Sequence, residues 1–249
     1  IMAKFEIGDG NFDIEVGVDP DYEALEMKVG SYINAEGRVV RDAADAVGIV
    51  FKMEAIGSDV PANYPVALQG KTIVGYAVAI ENVATGRQTL NTELLTTLAE
   101  TAAGMTNGTQ TTDVLLTGLG DVAFKTTYEK WVGEHALASE NLSAWYIPTL
   151  SQLSAFMGTL FTMKEVPATG SEDFKNIPEF EFVNGKMFDR TPINTVNYAS
   201  STINNQNNVS GVRINVTDGA VTNAQEAGIS VKAALNQQAL CRPMITIFK

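Results

Sequence analysis

Side chains that suit ligand recognition are concentrated in one short part of the sequence. Between Asn194 and Asn208, seven of the fifteen residues are Asn or Gln. An amide side chain offers donors and an acceptor, which suits hydroxyl and peptide groups, but it is a poor component of an apolar core. We therefore predict a solvent-exposed ligand-binding loop, with these residues: Tyr198, Asn204, Asn205, Gln206, Asn207 and Asn208. The alternative is a polar surface loop that binds nothing.

Residue types of catalytic and metal centres are scarce. His135 is the only histidine and Cys241 the only cysteine, so the sequence offers no His or Cys pair at the spacing of a metal site. A catalytic role for His135 would need a nucleophile or carboxylate partner that the sequence does not single out. We interpret both residues as structural. The sequence predicts no catalytic residues, no metal site and no cofactor, and hence no enzyme.

One acidic segment near the start of the chain resembles the beginning of a calcium loop. Asp9, Asn11 and Asp13 match its first three ligand positions. However, Ile14 stands where the turn glycine belongs, and no glutamate follows at the twelfth position. An acidic turn is therefore the better interpretation.

Composition and charge exclude several classes of protein. The chain has 249 residues, of which 45% are hydrophobic, and a formal net charge of −12. It is long enough to bury a sizeable core, and an acidic chain is poorly suited to neutralise phosphates, so we expect no nucleic-acid partner. No apolar run reaches the roughly 18 to 20 residues that span a bilayer, so we expect no membrane insertion.

The sequence predicts an extended arm over the first 28 residues. Phe5 and Ile7, then Phe12 and Ile14, alternate with polar residues as in short strands. The arm has too little apolar area to fold alone, so we expect it to pair with another chain or with the edge of the domain. Charges occupy the place where a signal peptide would need its apolar run. Either the chain is a processed or truncated piece, or it starts near Met2 and is made in the cytoplasm, which suits a phage virion protein.

A capped helix is the clearest single element of the sequence. Pro148 must end the extended run before it, and Thr149 with Gln152 has the spacing of a capping box. The next apolar residues recur at helical spacing and predict one buried stripe: Leu150, Leu153, Phe156, Met157, Leu160 and Phe161. We expect Trp145 to be buried with this stripe against a central sheet.

The remaining elements follow from alternation, apolar runs and turn residues. The sequence predicts a hairpin around residues 34–37 and strands at 47–53, 72–80, 209–216, 229–234 and 244–248, with turns at 184–185 and 218–219. It predicts helices at 94–103, 113–119 and from 121 to before 139, with a polar loop at 105–112.

Five segments, in order, resemble a known family. Trp145-Tyr146-Ile147-Pro148-Thr149 with Gln152-Leu153 is similar to the W-[YR]-[LI]-P-[ST]-x-x-[EQ]-L signature of a C-type-lectin-like domain found in Bacteroidetes surface and phage proteins, of the fimbrillin-associated, Fibrobacter-paralogous type. The other four resemble its GIVF, GLVVALED, YWSST and VRPVL strands: Val47 to Phe51, Gly75 to Glu81, Tyr198 to Thr202 and Cys241 to Ile245. The chain departs from the pattern at Ala199, where the family usually has Trp.

The resemblance implies a fold. It implies an α+β domain over residues 29–249, with a C-type-lectin-like mixed sheet flanked by two helices, preceded by the extended N-terminal arm at 1–28. It also places the ligand face in the region between the YWSST-like strand and the final strands. The lectin tripeptides that bind calcium and sugar are missing from the sequence, which disfavours calcium-dependent sugar binding.

The resemblance also implies a function. We expect a non-enzymatic recognition protein located in a phage virion, as a head fibre or tail-associated adhesin, that binds a host cell-surface glycan or protein and contacts other virion proteins or itself through the arm. The alternative is a fimbrillin-type adhesin or pilus-tip subunit at the cell surface. Formylglycine-generating enzymes share the lectin-like fold, but the pattern of that family includes a copper site formed by a pair of cysteines. Cys241 alone cannot supply such a site.

Overall fold

The computed structural model describes residues 3–7, 10–14, 25–84, 88, 98, 101–102, 104–119, 122–160, 195–205, 208–217, 220–230 and 239–249. These residues form an α+β fold with three antiparallel sheets and four α-helices. The strands are β1 Ala3–Ile7, β2 Gly10–Ile14, β3 Tyr32–Ile33, β4 Val39–Val40, β5 Gly48–Lys52, β6 Ile73–Ala79, β7 Thr195–Asn205, β8 Asn208–Thr217, β9 Ala220–Ser230 and β10 Met244–Phe248. The helices are α1 Val66–Gln69, α2 Gly108–Leu119, α3 Ala123–Glu134 and α4 Leu150–Leu160.

A five-stranded sheet forms the centre of the fold, in the order β10-β6-β5-β3-β4. Every pairing between its five strands is antiparallel, and among the described residues a parallel pairing occurs as the isolated bridge between Tyr198 and Leu240. The predicted hairpin is confirmed: Gly37, at φ +75, donates its backbone N–H to the Asn34 carbonyl at 2.9 Å. Short hairpin connections of this kind join antiparallel strands, whereas a parallel pair needs a long crossover.

A second sheet contains β7, β8 and β9 in that order, also antiparallel. The predicted strand at 209–216 agrees with β8, Asn208–Thr217, and the predicted turn at 218–219 lies outside the described residues. Of the strand predicted at 229–234, residues 229 and 230 belong to β9, and residues 231–234 lie outside the described residues. β9 is polar along much of its length, and its pairing with β8 outweighs its weak intrinsic strand preference.

Three helices of 11 or 12 residues, rather than two, accompany the sheets in the described residues. α3 and α4 lie where apolar spacing and the capping box predicted them. α2 begins at Gly108, inside the segment predicted as a loop, because Asn107 caps it: its side-chain oxygen accepts a hydrogen bond from the Gln110 N–H at 3.0 Å. The predicted helix at 94–103 and the turn at 184–185 lie mostly or wholly outside the described residues. None of the described helices is long and apolar enough to cross a membrane.

The central sheet separates two apolar clusters. Along β6, Tyr76 and Val78 belong to the first cluster, whereas Ala77 and Ala79 belong to the second. The first cluster contains the α4 stripe and the second contains the buried faces of α2 and α3. Both clusters are closed by buried residues of β10.

Trp145 is buried, as predicted, but in the second cluster, whereas Phe156 and Met157 of α4 lie in the first. The prediction that they are buried together is therefore wrong. Successive residues of an extended segment face opposite sides, so Tyr146 contacts the first cluster and Trp145 the second.

The N-terminal strands β1 and β2 form a separate two-stranded sheet. They pair antiparallel, with Phe5 opposite Phe12. The predicted alternation is confirmed as strand structure, and the first part of the arm is a hairpin paired with itself.

Candidate functional site

The segment from Trp145 to Leu153 lies where the five segments that resemble the lectin-like family meet. Tyr146 and Met244 exchange backbone hydrogen bonds of 3.0 and 2.9 Å, which attaches the segment to the free side of β10. On its other side, the Ser201 backbone N–H donates to the Pro148 carbonyl at 2.8 Å. Since β10 pairs with β6 and β6 with β5, all five segments are joined in one hydrogen-bonded arrangement.

Strand β7 bulges where it meets this junction. Ala199 is opposite Gly211 and Ile203 is opposite Val209, so four residue steps on β7 face two on β8. Such a bulge bends the strand and redirects its side chains. It lets the Ser201 hydroxyl donate to the Ile147 carbonyl at 2.8 Å.

The hydroxyl groups beside Ser201 also serve the fold. The Ser200 hydroxyl donates to the Ser210 carbonyl at 2.8 Å, and the Thr202 hydroxyl accepts from the Leu150 N–H at 2.9 Å, at the start of α4. Ser200 and Ser201 are fully buried. These polar residues therefore anchor β7 and are not exposed to a ligand.

The amide-rich residues lie directly beyond this anchor. Asn204 and Asn205 are the last residues of β7, Asn208 is the first of β8, and Asn205 is opposite Asn208. The prediction of a loop is wrong for these three residues, which belong to the end of a β-hairpin. Gln206 and Asn207 lie outside the described residues.

Core residues lie at the base of this hairpin end. Val209 is fully buried in the second cluster, and the half-buried Ile203 packs against it. Two apolar residues on adjacent strands thus fix the base of the hairpin, and the amide residues follow immediately on both strands.

Tyr198 does not lie on a ligand surface, contrary to the expectation. Its side chain is 1% exposed. Asn82 donates to its hydroxyl at 3.4 Å, and Arg242, itself 1% exposed, is hydrogen-bonded to the same side chain. Burial lowers the pKa of Arg242, and contact with Tyr198 opposes that effect. Tyr198 therefore helps to hold a buried cation inside the fold.

Ala199, the departure from the family pattern, is also buried. It packs in the second cluster, and its backbone N–H donates to the Leu240 carbonyl at 2.9 Å. Leu240 in turn donates to the Asn197 carbonyl at 2.8 Å. At Ala199, β7 pairs with β8 on one side and is hydrogen-bonded to Leu240 on the other. The small methyl side chain fits between these neighbours.

His135 has a carboxylate neighbour that the sequence did not reveal. Its Nε2 lies 3.4 Å from Oε1 of Glu81, and its Nδ1 lies 2.8 Å from the Trp131 carbonyl oxygen. The ring stacks on Trp131 with centroids 4.1 Å apart. Because a carbonyl only accepts, Nδ1 carries a hydrogen, and the packed, half-buried ring terminates α3.

A buried carboxylate, missed by the sequence analysis, forms the centre of a polar network. Asp59 is 2% exposed and accepts hydrogen bonds from the hydroxyls of Tyr64 at 2.5 Å and Tyr76 at 2.7 Å, and from Asn107 at 3.1 Å. Burial raises the pKa values of both tyrosines, and the negative charge of Asp59 adds to the rise.

The network continues through Thr246, whose hydroxyl lies 2.8 Å from that of Tyr64 and 2.9 Å from that of Tyr146. Its donors satisfy the buried charge, as a structural network requires. No local spacing signalled it, because Tyr76 and Asn107 lie 17 and 48 residues from Asp59 in the sequence.

The remaining chemistry-bearing residue is Cys241. It is buried in the second cluster, and burial raises the pKa of its thiol, which disfavours the reactive thiolate. In the part of the chain that the structure describes, no three His, Cys, Asp or Glu residues are placed to hold a metal ion. Comparison with protein-family models, with curated proteins and with solved structures finds no match for this chain.

Proposed function

We propose that the chain is a non-enzymatic recognition protein of a phage virion, a head fibre or tail-associated adhesin with a lectin-like domain. Its amide-rich hairpin end, residues 203–209, contacts a glycan or protein on the host cell surface. Its N-terminal arm contributes to assembly, with another copy or with other virion proteins.

The observation that carries the recognition role is the anchoring of this hairpin. β7 is bonded to Pro148 and to Leu150 through Ser201 and Thr202, and the core closes at Val209. A site held on strands is positioned more accurately than one on an unsupported loop. The amide residues begin two residues after Thr202 on β7 and one residue before Val209 on β8, so they are presented from a fixed base.

The five segments that resemble the lectin-like family are adjacent in the fold, which supports the proposal of a lectin-like domain. They are distant in sequence but are joined by β10, the Tyr146–Met244 bridge and the Ser201–Pro148 hydrogen bond. A chance collection of short similarities would have no reason to meet in this way. The adjacency therefore supports a domain of the kind that the resemblance implies.

The chemistry of recognition follows from the amides. Asn204, Asn205 and Asn208 each bring two N–H donors and one carbonyl acceptor, a set that matches sugar hydroxyls and peptide groups. The sequence lacks the calcium and sugar tripeptides of lectins, so we expect binding that does not depend on calcium and that survives chelation.

The experiment replaces Asn204, Asn205, Asn207 and Asn208 together with Ala and measures attachment to host cells and binding to a glycan array. We expect attachment to be lost while the circular dichroism spectrum and melting temperature stay near those of the wild type. The matched control removes amides from another surface by Gln69→Ala and Asn141→Ala, both at exposed residues. Undiminished attachment by the quadruple variant would refute the role of the hairpin end.

A further inference from the structure

The segment that connects β5 to β6 exposes a group of apolar side chains. Val66, the first residue of α1, is 83% exposed and Val60 is 46% exposed, the two highest values among the large hydrophobic residues that the structure describes. Three smaller apolar residues beside them, Ala62, Pro65 and Ala67, are exposed as well. We call these five side chains the valine patch. Apolar side chains grouped on a surface mark an interaction site, whereas single scattered ones do not.

Buried residues hold the valine patch in place from beneath. Tyr64 and Leu68 are 3% and 5% exposed and belong to the first cluster. The Tyr64 hydroxyl donates to Asp59 at 2.5 Å, and the Leu68 N–H donates to the Pro65 carbonyl at 2.8 Å. A surface that is already fixed loses little conformational freedom when a partner binds, so the patch is preorganised for contact.

The polar network beneath the patch closes into a ring of hydrogen bonds. Its members, in order, are Asp59, Tyr64, Thr246, Tyr146 and Gln152, and Gln152 leads back to Asp59 through Gly108 and its neighbour Asn107. The ring includes residues of β10, α2 and α4. Displacing the patch would therefore break buried bonds in several elements at once.

The valine patch is also free of exposed charge. From Ala55 to Gly70 the one charged residue is Asp59, which is 2% exposed. The whole chain has a net charge of −12, so two copies repel each other over much of their surfaces. A contact between copies is least opposed where neither presents a carboxylate. A cationic partner, by contrast, would be attracted to acidic surfaces rather than to a neutral patch.

We infer that two copies of the chain pack their valine patches against each other in a two-fold symmetric contact. Each copy contributes the same surface, so the contact closes as a dimer and does not extend further. This contact uses neither the N-terminal arm nor the hairpin end, and it therefore goes beyond the proposed function.

The test is sedimentation velocity of the full chain over a series of concentrations. A contact between two short segments is smaller than a standard stable interface, so we expect a weak dimer, with a Kd on the order of 10 µM or more. The wild type should pass from the single-chain mass of 26.7 kDa towards twice that mass as the concentration rises to about 1 mM.

Two variants of one residue probe the contact. Val66→Asp and Val66→Lys each place like charges opposite one another and should weaken the dimer about tenfold or more. Both should fold, because the side chain is mostly exposed, and circular dichroism checks this. Thr126→Asp is the control: it adds a charge at an exposed residue of α3, which packs in the second cluster on the opposite side of the central sheet. It should dimerise like the wild type.

Mixing the two Val66 variants gives the decisive result. In a two-fold contact the aspartate of one copy lies opposite the lysine of the other. An equimolar mixture should therefore form one-to-one dimers at concentrations where each variant alone is a single chain.

Three outcomes would overturn the inference. A wild type that stays a single chain up to about 1 mM would show that the patch does not bind a second copy. If the Val66 variants associate like the wild type, the copies meet elsewhere, and the assembly role proposed for the arm can still hold. If both variants dissociate but their mixture does not associate, the patch contacts a different surface of the second copy and the two-fold contact is wrong. Attachment through the hairpin end is measured with other variants, so its success or failure is independent of these results.

Discussion

The side-chain oxygen of Gln152 lies 3.0 Å from the backbone nitrogen of Gly108, the first residue of α2. The same oxygen accepts the Thr149 N–H at 3.0 Å and completes the capping box of α4. One buried amide therefore satisfies helix donors on two different helices.

Gln152→Ala should destabilise the protein by more than the loss of an ordinary cap. An N-cap contributes about 1 kcal/mol, and each buried donor left without a partner costs a further 1 to 3 kcal/mol or so. We expect a loss of about 2 to 5 kcal/mol in the free energy of unfolding, measured by urea titration. Gln69→Ala, at an exposed amide that bonds the Tyr64 carbonyl, should lose less than 1 kcal/mol or so. Equal losses in the two variants would contradict this role of Gln152.

Two glycines in helices should respond to alanine with opposite signs. A Cβ on Gly108 would clash with Cδ2 of Tyr146 and lie 2.5 Å from the Ile147 carbonyl oxygen, whereas a Cβ on Gly133 meets nothing within 4 Å. Alanine normally stabilises a helix relative to glycine by roughly 0.5 to 1 kcal/mol. We expect Gly133→Ala to raise the melting temperature and Gly108→Ala to lower it. A rise in both would show that the junction yields easily to the added methyl group.

Phe156→Ala should cost about 3 to 5 kcal/mol, as truncation of a core aromatic residue does. Phe156 is 1% exposed and packs edge-on against Phe51 with ring centroids 5.3 Å apart. Thermal unfolding followed by circular dichroism measures the effect. Val66→Ala, at a side chain that is 83% exposed, is the matched control and should change little. An unchanged melting temperature in Phe156→Ala would refute the packing of α4 on the sheet.

Alkaline solution should unfold the protein cooperatively. Burial raises the pKa values of four tyrosines: Tyr64, Tyr76, Tyr128 and Tyr146. In the unfolded chain they lose their protons near pH 10, while the folded chain retains them, so stability is complete below about pH 10 and falls as the pH rises above it. Each such tyrosine adds about 1.4 kcal/mol per pH unit to the slope.

Urea unfolding at a series of pH values, with tyrosinate absorbance recorded in parallel, checks this expectation. Tyr76→Phe removes one of the four protons and should give a shallower slope, whatever its effect at neutral pH. Tyrosinate absorbance that rises while the fold stays intact would contradict the prediction.

Local signals in the sequence were sufficient for part of the fold. Thr149 and Gln152 predict the start of α4 because both partners of a capping box lie within one turn. The apolar spacing from Phe124 to Trp131 likewise predicts α3. Each of these elements is determined by residues a few positions apart.

The features that the sequence did not reveal depend on contacts between residues that are distant in the chain. Asparagine is typical of loops, so the sequence predicts a loop at Asn205. Pairing with Asn208 of β8 instead makes Asn205 part of a strand. Asp59 gave no signal because Tyr76 and Asn107 reach it from other segments. Amide-rich composition and the family resemblance both predict a ligand surface at Tyr198, and only tertiary packing beside Arg242 shows that this residue is buried.

Because β7 and β8 are anchored at the base of their hairpin, the sequence of the hairpin end can vary while the fold stays stable. The contacts that hold the hairpin are made by Thr202, Ile203 and Val209. Exchange of residues 204–208 therefore leaves these contacts in place. Lengthening the connection should also be inexpensive, because each doubling of a flexible loop costs only about 0.6 kcal/mol. The domain is therefore suited to serve as a display scaffold, in which libraries of inserted peptides between Asn205 and Asn208 can be selected for new targets while the melting temperature stays nearly constant.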